Sequence, residues 1–305
     1  MRGKILKALA GFYYVIPLGE ALDTASVDTK AYACRARGIF RKHGIKPLVG
    51  DEVEFDITHE GDMEGNVTAI LPRKNELVRP KVANVDLGLL VFAMHSPEPS
   101  TELIDRFIIN YCVRNIPVIL NFNKSDLGLD EERSYYTRLY SGSGVEVHFT
   151  STIDHGGVDE LKEMLHGHTV AVAGPSGVGK SSLINSLLGE ERMETGALSE
   201  KIKRGKQTTR HIEILPIAEN TFAIDTPGFS VLDISVECLK KLEQYFPEIG
   251  RHSGECYFSG CSHISEPGCS VKEALKAGRI PKERYLSYTM VYEELNAAKT
   301  AAEKR

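Results

Sequence analysis

A chain of 305 residues carrying a net charge of −5 has room for two or three domains. A hydrophobic share of 42% and a charged share of 26% exclude a disordered or fibrous protein and fit a soluble globular one. No run of 18 apolar residues of the kind that spans a membrane occurs, so no membrane partner is expected.

The first 72 residues have the rhythm of a small β-domain. Apolar runs at Phe12–Ile16 and Tyr32–Phe40 are broken by Gly, Pro and Asp, and Val53, Phe55 and Ile57 alternate with acidic residues. Period-2 alternation marks half-buried strands, and several short strands in this length predict a closed, OB-like barrel over residues 1–72. Charge gathers here. Arg2, Lys4, Lys7, Lys30, Arg35, Arg37, Arg41, Lys42 and Lys46 face three acids in residues 1–50, a local net charge of +6 that leaves −11 for the rest. A basic face able to neutralise phosphates is one reading; a solvated surface is the other. Lys7 interrupts the short apolar stretch near the start and no cleavage pattern follows, so a cytoplasmic protein is expected.

From about residue 73 to 235 the pattern is α/β. Apolar strands are predicted at Val85–Met94, Pro117–Phe122, Val145–Thr150 and Thr169–Ala173, with helices over Glu102–Arg114 and Val158–Leu165 between them. Buried strands alternating with helices predict a parallel sheet covered on both faces. Four motifs follow apolar strands of this kind. Gly174-Pro175-Ser176-Gly177-Val178-Gly179-Lys180-Ser181-Ser182 matches G-x-x-x-x-G-K-[ST] between a strand and a helix, the context in which backbone amides cradle phosphates. Lys180 is suited to the β- and γ-phosphates and Ser181 to Mg²⁺.

Asn123-Lys124-Ser125-Asp126 selects the base. A carboxylate at Asp126 accepts two parallel N–H bonds from guanine, whereas adenine lacks that donor pair and would leave a buried carboxylate unsatisfied. Thr150-Ser151 fits the short loop that closes over the base. Asp225-Thr226-Pro227-Gly228 ends a strand at Thr221–Ile224, where Asp225 can hold Mg²⁺ through water and the Gly228 amide can sense the γ-phosphate. The polar stretch Lys201–Arg210 is a candidate switch, and Thr208 or Thr209 is the threonine expected over Mg²⁺. Phe229 stands where Ras-like enzymes carry the glutamine that orients water, so Gln207 is the candidate for that role.

The order is rotated. N-K-x-D and the Thr-Ser loop precede the P-loop, the threonines and D-x-P-G, the reverse of the Ras-like arrangement and the mark of a circular permutation.

Residues 236–305 are predicted to be mostly helical with a metal loop inserted. Cys256-x₄-Cys261-x-His263-x₅-Cys269 supplies three thiols and one imidazole, a closed ligand set suited to one structural Zn²⁺. His252 lacks the spacing and is expected at the surface. Tyr285, Tyr288, Tyr292 and Leu295 share a helical face, read as core packing, with stacking on RNA bases the alternative.

Together the barrel, the permuted motifs and the cysteine-rich tail resemble the RsgA (YjeQ/YloQ) family of small ribosomal subunit biogenesis GTPases, across nearly the whole chain and including Arg37–Arg41 and Leu48–Asp51. The resemblance implies GTP hydrolysis stimulated by the small ribosomal subunit and linked to its late maturation, with rRNA as partner; a monomer is expected. The family usually places His before the paired threonines, where this chain has Gln207. Two alternatives remain: a permuted factor for the large subunit, whose G-x-P-N-V-G-K-S differs at Ser176-Gly177, and a GTP-gated RNA-binding module with incidental turnover.

Overall fold

The computed structural model describes residues 1–19, 31–36, 40, 44–78, 81–189, 214–218, 220–225 and 234–303. Strands β1 (Arg2–Leu9), β2 (Phe12–Pro17), β3 (Tyr32–Ala36), β4 (Glu52–His59) and β5 (Glu64–Ile70) close into a barrel of order β1-β2-β3-β5-β4. The β4–β1 ladder runs antiparallel and closes it, while β3 and β5 run parallel. The expected alternation is present: Val53 and Phe55 point into a core with Ile5, Val15, Cys34 and Val67, while Glu54 and Asp56 face out. Phe40 joins this core without belonging to β3, which ends at Ala36.

A hairpin of β6 (Glu76–Val78) and β7 (Lys81–Ala83) leads into a six-stranded sheet. The sheet comprises β8 (Leu87–Ala93), β9 (Val118–Asn123), β10 (Glu146–Phe149), β11 (Thr169–Ala173), β12 (Ile214–Ala218) and β13 (Thr221–Asp225), in the order β10-β9-β8-β11-β13-β12. Every residue of β8, β9 and β11 is buried, as both-face coverage requires. The helices between these strands are α1 (Thr101–Cys112), α2 (Asp130–Tyr140), α3 (Val158–Met164) and α4 (Lys180–Leu188). Leu90 and Phe92 pack with α1 on one face; Leu89 and Val91 pack with Leu161, Leu183 and Ile184 on the other. One expectation needs correction. The sheet is mixed, because β12 lies at its edge and runs antiparallel to β13.

The tail continues through a kinked 3-10 stretch (Val236–Tyr245) into α5 (Pro247–Ser253), α6 (Ser270–Lys276) and α7 (Lys282–Glu303). Tyr288 and Leu295 are buried with Phe246, Ile249 and Val271, and Tyr285 and Tyr292 pack against them, so the aromatic face of α7 is core.

The barrel packs directly on the sheet. Leu6, Ile16 and Val49 join the same apolar cluster as Leu90 and Phe222. Lys4, counted among the cations of a basic face, is instead buried at 7% exposure, donating to Thr169 Oγ1 at 2.6 Å with its ammonium 4.8 Å from the Phe222 ring centroid. Burial lowers its pKa from the ordinary lysine value.

Candidate nucleotide site and metal cluster

Parallel strands bring the motif loops to one edge of the sheet. β9 ends in Asn123, β10 runs into Thr150, β11 into Gly174 and β13 into Asp225, with β8 between β9 and β11. The chain reaches these loops in permuted order, yet the strand pairing sets them side by side.

The P-loop turn depends on two glycines. Gly174 has φ +145, and a Cβ there would lie 2.0 Å from the Val91 carbonyl oxygen. Gly179 has φ +89, and its Cβ would lie 2.4 Å from Asn123 Nδ2. Only residues without side chains let the loop lie this close to β8 and β9. Lys180, the first residue of α4, donates from Nζ to the carbonyls of Gly174 and Pro175 at 2.9 and 2.7 Å, holding the ammonium over the loop. Val178 is buried beneath it, Ser176 and Gly177 are exposed, and Ser181 and Ser182 are half-buried on the first turn.

The Asn-Lys-Ser-Asp segment is bound to this loop. Asn123 Nδ2 donates to the Val178 carbonyl at 2.9 Å, and Lys124 Nζ donates to the Gly177 carbonyl at 2.8 Å and to the Ser96 carbonyl. Lys124 adopts the left-handed φ of +57 that turns the chain off the strand, leaving Asp126 exposed in a short 3-10 turn. Thr150 clamps the same segment: its amide donates to Phe122 O, its carbonyl accepts from Ser125 N, and its hydroxyl donates to Asn123 Oδ1. Ser151 is fully buried, and its Oγ accepts from the amides of Ile153 and Asp154.

The structure therefore brings Asn123–Asp126, Thr150, Ser151 and Gly174–Ser182 together, with the end of β13 nearby. Gln207, Thr208, Thr209 and Gly228 lie outside the described residues, as does the side chain of Asp225. The motifs did not reveal Asn121 or the Ser96 carbonyl. For Asn121 a signal existed, since it is a polar residue inside the apolar run Val118–Phe122.

The ligand atoms of Cys256, Cys261, His263 and Cys269 all lie within 4.8 Å of one another. Cys256 Sγ is 3.9 Å from Cys269 Sγ and 3.5 Å from His263 Nδ1, and Cys269 Sγ is 3.4 Å from His263 Nδ1. A tetrahedral Zn²⁺ with ordinary bond lengths requires edges of about 3.8 Å between sulfurs and about 3.6 Å between sulfur and nitrogen. These residues fit the ion. His263 Nε2 faces Glu243 Oε2 at 3.2 Å, so the carboxylate holds the ring with Nδ1 inward, as outer partners of metal-bound imidazoles do. Glu266 organises the loop by accepting from Ser262 N and Oγ and from the amides of Ile264 and Ser265. His252 stands outside the cluster, and none of the six cysteines is in a disulfide.

Known proteins share this architecture. A family model described as RsgA GTPase matches residues 70–235, and one described as RsgA N-terminal domain matches residues 2–65. The chain belongs to the RsgA family. Among its RsgA relatives, the small ribosomal subunit biogenesis GTPase of Agathobacter rectalis is 49% identical over 297 residues, covering 97% of this chain and 98% of the relative. The protein of the same name from Geobacillus sp. WCH70 is 46% identical over 300 residues, covering 97% and 98%. Two solved structures agree in fold. The crystal structure of YloQ, a circularly permuted GTPase, gives a TM-score of 0.77 at 35% identity, covering 97% of this chain and 95% of that one. YjeQ from Thermotoga maritima gives 0.79 at 33% identity, covering 96% and 98%. Membership of a GTPase family implies a guanine nucleotide, and the Cys₃His set is one that can bind zinc. Among the described residues no helix is long and apolar enough to cross a membrane.

Proposed function

We propose that this chain binds GTP and GDP, hydrolyses GTP, and couples that hydrolysis to late maturation of the small ribosomal subunit while bound to its rRNA. The observation that carries the reading is the hydrogen bond from Asn123 Nδ2 to the Val178 carbonyl. It joins a base-selecting motif to a phosphate-binding loop 55 residues away, as a single nucleotide spanning both requires.

In this reading Asp126 accepts from the guanine edge, Asn123 braces the base, Lys124 covers one ring face and the Thr150-Ser151 loop closes over the base. The amides of Gly174 to Ser181 and the Lys180 ammonium hold the phosphates. Ser181, one of Thr208 and Thr209, and Asp225 hold Mg²⁺, which neutralises charge on the phosphates when bound. The Gly228 amide senses the γ-phosphate, and Gln207 orients the attacking water, since an amide can align water but cannot take its proton near neutral pH.

The barrel (1–72) and the zinc-bearing tail (236–305) flank the permuted GTPase domain (73–235) and supply two rRNA-binding surfaces to a monomer acting in the cytoplasm. One structural Zn²⁺ on Cys256, Cys261, His263 and Cys269 shapes the tail. Support for the ribosomal part comes from the names of the relatives.

GTP turnover is to be measured alone, with purified small subunits and with large subunits. Stimulation by the small subunit only is expected, and no response to either would overturn the ribosomal part. Sedimentation with each subunit, under GDP or a non-hydrolysable GTP analogue across a salt series, tests the binding.

A further inference from the structure

Asn121 lies at the centre of β9, two residues before the base-selecting motif, and is fully buried. Its Nδ2 donates to Thr150 Oγ1 at 2.8 Å, Thr150 Oγ1 donates to Asn123 Oδ1 at 3.2 Å, and Asn123 Nδ2 donates to Val178 O at 2.9 Å. The direction of this chain has a consequence. The Asn123 amide can be turned over with little change of shape, yet only one orientation presents an N–H to the Val178 carbonyl. A threonine hydroxyl can serve either orientation, because it both donates and accepts. By donating to Thr150 Oγ1, Asn121 occupies a lone pair of that oxygen and turns its proton toward Asn123 Oδ1.

Asn121 has a cost as well. Its own Oδ1 has no partner, and a buried carbonyl left unpaired is unfavourable. An aliphatic side chain would suit a fully buried strand better, so packing does not account for an amide here.

We propose that Asn121 is a positioning residue for guanine-nucleotide binding, which orients the Asn123 amide through Thr150. The proposal rests on the guanine-nucleotide reading of the site and adds to it a residue that the motif omits.

The test uses the full chain and its Asn121→Val, Thr150→Val and double variants, with Thr150→Ser as the conservative control. Binding of GDP and ADP is titrated, and melting of the nucleotide-free proteins is recorded. Asn121→Val is expected to weaken GDP binding about tenfold while the melting temperature holds or rises, since the unpaired carbonyl is gone. The double variant should bind no more weakly than Thr150→Val alone, because both act through one chain, and Thr150→Ser should stay within about twofold of wild type.

Unchanged GDP affinity in Asn121→Val overturns the proposal, as do losses that multiply in the double variant or a fall in melting temperature that accompanies the weaker binding. Should Asn121→Val fail to fold, Asn121→Ala removes the same donor and is held to the GDP-affinity and double-variant outcomes alone, because the cavity it leaves lowers the melting temperature in either case. Wild type preferring GDP to ADP upholds the nucleotide reading in every one of these cases; ADP bound as tightly as GDP overturns both.

Discussion

The guanidinium of Arg284, on the final helix, is ion-paired with the carboxylate of Asp105 on α1 of the central domain. Arg284 is 0% exposed and Asp105 1%. Arg284 Nε also donates to Glu248 Oε1 at 2.6 Å, and the cation lies over the rings of Tyr140 and Phe246 at 5.1 and 4.8 Å. The trio thus fastens α5 and α7 of the tail to the sheet domain.

Breaking this trio from the cationic side is expected to be severe. Arg284→Met leaves two buried carboxylates without a counter-ion, and removing one member of a buried pair costs about 3–5 kcal/mol. Arg284→Lys should recover only part of that loss, because a single ammonium cannot reproduce the fork that reaches both carboxylates. Denaturant unfolding of the three proteins checks the ranking.

A pH dependence follows from the same site. Burial pushes the Asp105 carboxyl up to about 6, with the Glu248 charge adding to the rise and Arg284 opposing it. The physical reason is that a carboxylate stripped of water is penalised by more than the Arg284 cation, which it shares with Glu248, can offset. The folded state therefore holds this proton more tightly than the unfolded chain does. The resulting stabilisation is fully present below the unfolded carboxyl pKa near 4 and is lost as pH rises through about 6. Between pH 7.5 and 5.5 the wild type should gain about 1 kcal/mol from this group, and Asp105→Asn should lack that gain. Unfolding of both proteins at the two pH values measures it.

Glu243 is not one of the four candidate ligands, yet its carboxylate sets the ring of His263. Glu243→Ala is expected to weaken zinc affinity about 10–100-fold, the usual effect of losing an outer partner. Competition against a chromophoric chelator reads this directly. The hydroxyls of Tyr285 and Tyr288 donate to the carbonyls of His263 and Ser262 at 2.6 and 3.0 Å, tying the loop to α7. Stripping the metal should accordingly raise amide exchange along α7 as well as within the loop.

These cases mark what was legible in the sequence. The P-loop, the Asn-Lys-Ser-Asp segment and the Cys₃His loop depend on fixed local spacing, which is visible in the sequence alone. The strands β8, β9 and β11 were legible because burial on both faces demands unbroken apolar runs. The antiparallel course of β12 was not, since strand direction at a sheet edge is set by pairing with β13 and leaves no periodic mark. Arg284 and Asp105 are 179 residues apart, and nothing local announces their pairing. Lys4 is the least legible: a lysine among many cations reads as surface charge, and only the docking of the barrel on Thr169 and Phe222 buries it.

Gln207 tests the hydrolytic role assigned to it. Phe229 follows the Asp225–Gly228 segment and cannot align a water, so another group must. Gln207→Ala is expected to lower kcat about tenfold or more with GTP affinity retained, the pattern of an interaction made only in the transition state. Single-turnover hydrolysis beside a GTP titration separates the two. Unchanged turnover would remove Gln207 from the mechanism.

Lys4 joins the barrel to the strand that carries the P-loop, since Thr169 opens β11 and Gly174 follows its end. Two substitutions separate what its stem and its charge contribute. Lys4→Ala removes the buried methylenes and leaves a cavity, at a cost of about 2–4 kcal/mol. Lys4→Met keeps most of the volume and withdraws a buried cation whose solvation was already sacrificed, so its effect should stay within about 1 kcal/mol. If charge dominates the contact, the two variants will instead be equally destabilised. Denaturant unfolding read separately from barrel and sheet probes then tells whether Lys4 holds the domains together by packing or by its ammonium.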